Sequence, residues 1–306
     1  MGYHLFEDEC MGAKFSIMID EDNSSKAKFA AQSAFMEADR LNFIFSDYLD
    51  TSELSRFSDS SYTEKHFELS DELFSVLSFG QSISHDTNGS FDMTLGLLSR
   101  LWRIARFTNN APNPEKIRTA LSHSGYQNLQ LFTKSKTGKL LTPGVVLDLG
   151  GIAKGYTADW MLKILNDCGI DRCLVNAGGD LVIGNPPRDS KGWRIKVGGE
   201  KNALLPSMLL SNTAIATSGD FEQYLLLDGK KYSHLIDPYS GMGLTTQAQV
   251  TVIAPSGMAA DAYASASIVM GFENSKSYFA GSEGVIIYYV SKNEDEIFLK
   301  KIGVDL

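Results

Sequence analysis

The densest run of residues able to do chemistry is Asp148-Leu-Gly-Gly-Ile-Ala-Lys-Gly-Tyr156. A carboxylate ends an apolar stretch, two glycines turn the chain, and Lys154 stands where a helix would begin. Amides at a helix start attract anions, and a lysine beside them adds charge, so the run can hold a phosphate. The alternative is a tight strand-to-helix turn with a solvated lysine. The run is neither a Gly-x4-Gly-Lys-Ser/Thr loop nor G-x-G-x-x-G. A second pair is Asp261 and Ser265 in Ala259-Ala-Asp-Ala-Tyr-Ala-Ser265. Their spacing of four puts both oxygens on one helical face. Both are hard donors of the kind magnesium takes. The plainer reading is an acid favouring a helix N-terminus and a serine tolerated among alanines.

Val175-Asn-Ala-Gly-Gly-Asp180 combines two glycines with polar neighbours. It suits close approach of a flat ligand or another chain, or else a bulge between strands. Ala216-Thr-Ser-Gly-Asp220 and Tyr232-Ser-His-Leu-Ile-Asp-Pro238 follow. His234 sits in polar company and can serve as a general base near neutral pH, or be an ordinary surface or core histidine. Asp237 before Pro238 reads as a turn former. His4, His66, His85 and His123 are scattered. H-E-x-x-H and C-x-x-C are absent from the sequence, which argues against zinc.

Composition narrows the classes. Lys plus Arg number 28 and Asp plus Glu 37, a net charge of −9. Such a chain has no broad electrostatic footprint for nucleic acid. With 43% hydrophobic and 21% charged residues it is an ordinary globular composition. Its 306 residues can bury a substantial core. Three cysteines, Cys10, Cys168 and Cys173, are too few for a disulfide framework and read as buried thiols. The sequence contains no apolar run long enough to span a membrane. Three acids in the first ten residues oppose a signal peptide, and Phe6 opposes myristoylation at Gly2.

These residues need elements to position them. Phe15 to Ile19 predicts a strand, and Asp20 to Ser25 a turn into a helix. That helix buries Ala27, Ala31, Ala34, Phe35, Ala38, Leu41 and Phe45. Ser70-Asp-Glu72 starts another, with Leu73, Val76, Leu77 and Ile83 on its apolar side, and Asn88-Gly89 closes that region. Positions 108–114 form a loop. Val145 to Leu149 predicts a strand, Gly150-Gly151 a turn, and Tyr156 to Asn166 a helix. Further strands are predicted at 174–175, 181–183, 193–197, 207–210, 250–254, 284–290 and 296–300. Leu225 to Leu227, Asp228-Gly229 and Lys230 to Tyr232 form a hairpin signal. Met258 to Met270 predicts an alanine-rich helix ending at Gly271. Strands and helices mix without β-α-β alternation. The expected class is therefore α+β, mostly antiparallel sheets with flanking helices, in a single compact unit with lobes over 1–306 and a core at about 11–290.

In order, the motifs resemble the FAD:protein FMN transferase (ApbE) family. The resemblance rests on the Asp148–Tyr156 run, Asn176-Ala-Gly-Gly-Asp180, Ala216-Thr-Ser-Gly-Asp220, Ser233-His-Leu-Ile-Asp-Pro238 with Gly241, and Asp261-x3-Ser265. Upstream, Met11-Gly12, Phe45-Ser-Asp-Tyr48, Ser52-Glu-Leu-Ser55, Gly89-Ser-Phe-Asp-Met-Thr94 and Leu101-Trp102 occur in the family's order. It runs from about residue 11 to 271.

The resemblance implies a magnesium-dependent transferase. FAD is split at its pyrophosphate, FMN is joined through a phosphoester to a Thr or Ser of an acceptor flavoprotein, and AMP leaves. It implies that Asp261, Ser265 and the carbonyl of Gly151 hold magnesium. Met11, Tyr48, Ser90, Phe91, Asp92, Asp148, Lys154 and Leu235 would contact FAD, with Tyr48 or Phe91 stacking on a ring. His234 is the candidate base. Rival readings are a magnesium-dependent FAD pyrophosphatase and a flavin-binding protein without turnover. Family acceptors include flavin-carrying subunits of membrane electron pumps and soluble fumarate-reductase-like enzymes. The expected location is cytoplasmic, an exported form with its leader removed being the other option. Three positions depart from the family pattern. Ser265 replaces a threonine but keeps the hydroxyl, Ala13 replaces the threonine after Met-Gly, and the asparagine usual after Ser-Glu-Leu-Ser-Arg is replaced near Phe57-Ser58.

Overall fold

The computed structural model describes residues 2–63, 65–199, 204–219, 224–227, 229–293 and 296–303. Asp220 and Asp228, both in motifs named above, lie outside them. In chain order the elements are β1 (Tyr3–Cys10), β2 (Ala13–Asp20), α1 (Ser24–Phe45), α2 (Glu53–Asp59), β3 (Phe67–Glu68), α3 (Asp71–Asp86), α4 (Gly96–Thr108) and α5 (Pro114–Ser122). Then follow β4 (Leu129–Phe132), β5 (Thr137–Leu140), α6 (Ala153–Asp167), β6 (Cys173–Ala177), β7 (Asp180–Ile183), β8 (Trp193–Lys196), β9 (Ser207–Leu210) and β10 (Thr213–Gly219). The last are β11 (Tyr224–Leu227), β12 (Lys230–Ser233), β13 (Ala248–Ala254), α7 (Gly257–Tyr278), β14 (Ile286–Asn293) and β15 (Glu296–Ile302).

An eight-stranded sheet runs β1-β2-β6-β7-β10-β13-β14-β15, antiparallel at every step. The expected α+β class with antiparallel sheets is what the structure has. Period-two alternation gives this sheet two apolar faces. On one, Val250, Val252 and Ala254 of β13 join Ile17, Val175 and Ala216 beneath α1, α6 and α7. On the other, Ile253, Ile215 and Ile286 are covered by Trp193 and Ile195 of the β8–β9 hairpin.

The helices follow local signals. Asn23 caps α1 by accepting from the Lys26 amide, and Ser70 caps α3 by accepting from that of Leu73. Ala27, Ala30, Ala31, Ala34 and Ala38 are fully buried on α1. Such a face lets a neighbouring helix come close, and α6 packs there. A second core joins the end of α1 to α2, α3 and the β3-β5-β4 sheet. A third, around Leu98, Trp102, Ile117, Leu225 and Ile236, makes a lobe of α4, α5 and β11. There Trp102 stacks on Tyr232, ring centroids 5.5 Å apart, and its Nε1 donates to the Gly241 carbonyl at 2.8 Å. Trp102→Ala should cost about 3–5 kcal/mol, read as a lower urea midpoint. A loss under about 1 kcal/mol would show that the lobe does not depend on this ring.

The structure corrects several element predictions. Positions 145–149 form no strand. Val146 makes one parallel bridge to Leu95, the Leu147 amide donates to Ser58 Oγ at 3.1 Å, and that of Asp148 to the Met93 carbonyl at 2.8 Å. The apolar run is buried because α2 and the segment before α4 receive its polar groups, not because it joins a ladder. β1, β3, β4, β5, β10, α2, α4 and α5 have no counterpart among the predicted elements. Gly271 is a break (φ 75°) after which helix resumes to Tyr278, rather than an end.

Candidate active site

The site forms where α6 and α7 cross. A Cβ on Gly155 would lie 2.1 Å from the Gly257 carbonyl oxygen, and one on Gly257 would lie 2.4 Å from that of Gly155. Two glycines face to face let the helix backbones touch. Asp159, one turn further along α6, accepts from the Gly257 and Met258 amides at 2.7 and 2.9 Å. Burial pushes Asp159 up to about 6 despite these bonds. Ser256 caps α7 by accepting from the Ala259 amide. The crossing therefore fixes where the next turn of α7, carrying Asp261, must sit.

Asp261 is 3% exposed. Its Oδ2 accepts from the Gly155 amide at 3.1 Å and lies 3.6 Å from Lys154 Nζ. Lys154 donates to Asp180 Oδ2 at 2.8 Å. Asp180, at the start of β7, also accepts from the Thr217 amide at 3.4 Å. Burial works against the Lys154 charge, but the two carboxylates more than offset it and hold the ammonium above its ordinary range. Burial, with Asp180 nearby, raises Asp261 to about 7 against the pull of Lys154. When Asp261 is ionised, two carboxylates against one lysine leave this cluster one positive charge short.

One turn along α7, Ser265 Oγ lies 3.2 Å from Ser218 Oγ on β10. A Cβ on Gly151 would stand 2.8 Å from the same Ser265 oxygen and 3.5 Å from the Phe91 ring. The structure thus brings Gly151, Asp261, Ser265 and Lys154 together, as their sequence spacing could not show across more than a hundred residues. Among the described residues no three His, Cys, Asp or Glu side chains cluster as a metal site. The oxygen set here mixes one carboxylate, a hydroxyl and main chain.

The other predicted residues surround this centre. Asp148 Oδ1 accepts from the Gly150 amide at 2.8 Å, closing the turn into α6. Its charge is felt by Asp47 and Tyr48, both raised chiefly by burial. Tyr48 is 70% exposed, and the Arg103 guanidinium of α4 lies 3.9 Å over its ring. Arg103 also pairs with Asp47 at 2.9 Å. Met11, in the left-handed region (φ 52°), accepts at its sulfur from Thr157 Oγ1 at 3.3 Å. Ser90 Oγ donates to the Thr87 carbonyl at 3.0 Å. Phe91 is buried against Gly80 and Gly151, and the Asp92 carboxylate accepts from both the amide and the hydroxyl of Thr94. These last two side chains are committed to the fold.

His234 and Leu235 follow β12 on a segment held at both ends. The Ser233 amide donates to the Leu244 carbonyl and the Leu244 amide to that of Leu235. The Tyr239 hydroxyl donates to the Asn88 carbonyl at 2.7 Å, tying this segment to the loop that carries Ser90 and Phe91. His234 is half-buried. Sequence reasoning assigned no role to Asp180, Ser218, Asp159 or Arg103. A signal existed for the first two, which belong to the motifs around Gly178-Gly179 and Gly219. Asp159 and Arg103 had none.

The sequence pattern of the ApbE family matches residues 11–289. A protein of Escherichia coli (strain K12) called FAD:protein FMN transferase is 30% identical over 285 residues, covering 90% of this chain and 80% of its own. A Klebsiella pneumoniae (strain 342) protein of the same name is 28% identical over 296 residues, covering 94% and 84%. Among solved structures, the flavin transferase ApbE from Vibrio cholerae superposes with a TM-score of 0.86 at 26% identity, covering 98% of each chain. The ApbE protein of Thermotoga maritima gives 0.84 at 28% identity, covering 97% of each. With the motifs in order, the antiparallel sheet and the α6–α7 crossing already described, these matches establish that the chain belongs to the ApbE family.

Proposed function

We propose that this chain is a magnesium-dependent FAD:protein FMN transferase that esterifies a Thr or Ser of an acceptor protein and releases AMP. The observation that carries the reading is the cluster of Lys154 with the buried carboxylates of Asp180 and Asp261, beside Ser265 and Gly151. Family membership and the names of its relatives support it. The donor set fits magnesium, which takes hard oxygens and keeps few carboxylates. Asp261, Ser265 and the Gly151 carbonyl would hold it, and when bound it supplies charge to the pyrophosphate.

The chain's own residues do the rest. In the first turn of α6 the Ala153 amide donates to the Leu149 carbonyl and the Gly155 amide to Asp261, so it is the Lys154 ammonium that would supply charge to the FAD phosphates. Tyr48 offers an exposed ring face for stacking. Met11, Ser90, Asp148 and Leu235 would border the dinucleotide. Phe91 and Asp92 would do so through main chain, since their side chains are spoken for. His234 would take the proton as the acceptor hydroxyl attacks the FMN phosphorus. The phosphorus–oxygen bond to AMP breaks, and AMP leaves with that electron pair.

The experiment is AMP release from FAD and Mg2+ with and without candidate acceptor domains, with mass analysis for FMN gained by the acceptor. AMP only with acceptor supports transfer. AMP from FAD alone would make the protein a pyrophosphatase, and no AMP would make it a binder. His234→Ala should slow transfer by roughly 10²–10⁴-fold and leave FAD affinity unchanged. Loss of FAD binding together with transfer would place the base elsewhere.

A further inference from the structure

Asn176-Ala-Gly-Gly-Asp180 is the tight hairpin that joins β6 to β7. Gly178 and Gly179 both have positive φ, 66° and 111°, as a hairpin with two turn residues requires. Asn176 Oδ1 accepts from the Gly179 amide at 2.8 Å and closes the turn. The turn sets the register, with Ala177 opposite Asp180 and Val175 opposite Val182. Residues directly opposite share a face of the sheet. Val175, Ala177 and Val182 belong to the core beneath α6 and α7, so Asp180 is turned toward those helices. It is 6% exposed. A slip of one residue would send its carboxylate to the other face.

Lys154, at the start of α6, meets Asp180 there. Its Nζ donates to Asp180 Oδ2 at 2.8 Å and stands 3.6 Å from Asp261 Oδ2. The turn also flanks the lysine stem, since a Cβ on Gly178 would lie 3.9 Å from Lys154 Cδ. Two carboxylates thus face one ammonium, and the hydrogen bond goes to Asp180. The choice matters because a carboxylate bound to an ammonium offers a metal less charge than one left free. Magnesium dehydrates reluctantly and is held by one or two carboxylates, so its binding depends on how available Asp261 is.

We propose that Asp180 is a positioning residue of this site, which draws the Lys154 ammonium off Asp261 and so keeps that carboxylate free for magnesium. The inference rests on the transferase reading and adds to its site a residue that acts through Lys154 rather than on metal or substrate. The competing account is that Asp180 only adds negative charge to the site.

The test is a double-mutant cycle on the full chain, with Mg2+ affinity read by calorimetry in the absence of FAD. Asp180→Asn, Lys154→Met and the double variant are first checked for cooperative urea unfolding, and Asp180→Ser takes the place of Asp180→Asn if the amide misfolds. Asp180→Asn should weaken Mg2+ binding about 10-fold, as loss of a partner that orients a metal ligand does. In the Lys154→Met background the same substitution should cost less than about 2-fold, because no ammonium remains to fall on Asp261. Asp180→Glu keeps a carboxylate for Lys154 and should recover most of the affinity. In a crystal of Asp180→Asn, Lys154 Nζ should lie within about 3 Å of an Asp261 oxygen. Equal losses of affinity in both backgrounds would show that Asp180 acts by its own charge and would overturn the proposal. So would a lysine that stays apart from Asp261 in that crystal. If the wild-type protein binds no Mg2+, the metal reading fails, and the crystal distance alone decides whether Asp180 holds Lys154 off Asp261.

Discussion

Asp261→Asn should reduce AMP release by more than about 100-fold at any practical Mg2+ concentration and leave the fold intact. Partners one shell out from a metal already cost about 10–100-fold when removed, and here the change removes the one carboxylate of the proposed donor set. Fold retention follows from the charges. The variant turns a cluster of two carboxylates and one lysine into a balanced pair, because Lys154 keeps its 2.8 Å bond to Asp180. The amide side chain still offers an oxygen to the Gly155 N–H, now 3.1 Å from Asp261 Oδ2. If Asp261 instead only favours the start of α7, its charge is worth about 0.3–1 kcal/mol and turnover survives. Wild-type rates at low Mg2+ in Asp261→Asn would remove the metal from this place. Ser265 discriminates further. Ser265→Thr keeps the hydroxyl beside Gly151 and Ser218 and should be tolerated, whereas Ser265→Ala should raise the Mg2+ requirement. Chelation of wild type should stop AMP release and be reversed by added Mg2+.

What could be read from the sequence differs residue by residue for physical reasons. Helices α1, α3, α6 and α7 have capping residues or an unbroken apolar period, and their existence was legible. α4 was not, because it begins at Gly96 after Leu95, which provides no side-chain cap, and mixes three arginines into a short span. β1 is an edge strand whose partly exposed faces blur the alternation, so it gives no strand signal. In the site, the pairing of Asp261 with Ser265 is a property of one helix turn and was visible. That Asp180 receives Lys154 is a property of how β7 meets α6, which no local spacing encodes. His234 stood out by type and neighbours, but its attachment to the Asn88 loop through Tyr239 is tertiary.

Gly155→Ala should destabilise the protein at or above the upper end of the about 1–3 kcal/mol that overpacking costs, and remove activity with it. A methyl at this position would lie 2.1 Å from the Gly257 carbonyl oxygen, 2.5 Å from its carbonyl carbon and 2.9 Å from Asp261 Cβ. Two of these atoms are backbone, so no rotamer change relieves the contact. α6 and α7 must separate, and separation breaks the Gly155 N–H bond to Asp261 and strains the bonds from Gly257 and Met258 to Asp159. Gly257→Ala should behave alike, meeting the Gly155 carbonyl at 2.4 Å and Val182 Cγ2 at 2.6 Å. The comparison is Gly150→Ala, whose methyl meets only Asp148 Oδ1, at 3.1 Å. That contact is with a side chain that can turn, so its cost in stability should be small. Urea midpoints measured on all three variants separate the crossing from the turn. Should Gly155→Ala unfold at the wild-type midpoint, the helices approach less closely than described. Asp261 would then owe its place to something other than this contact.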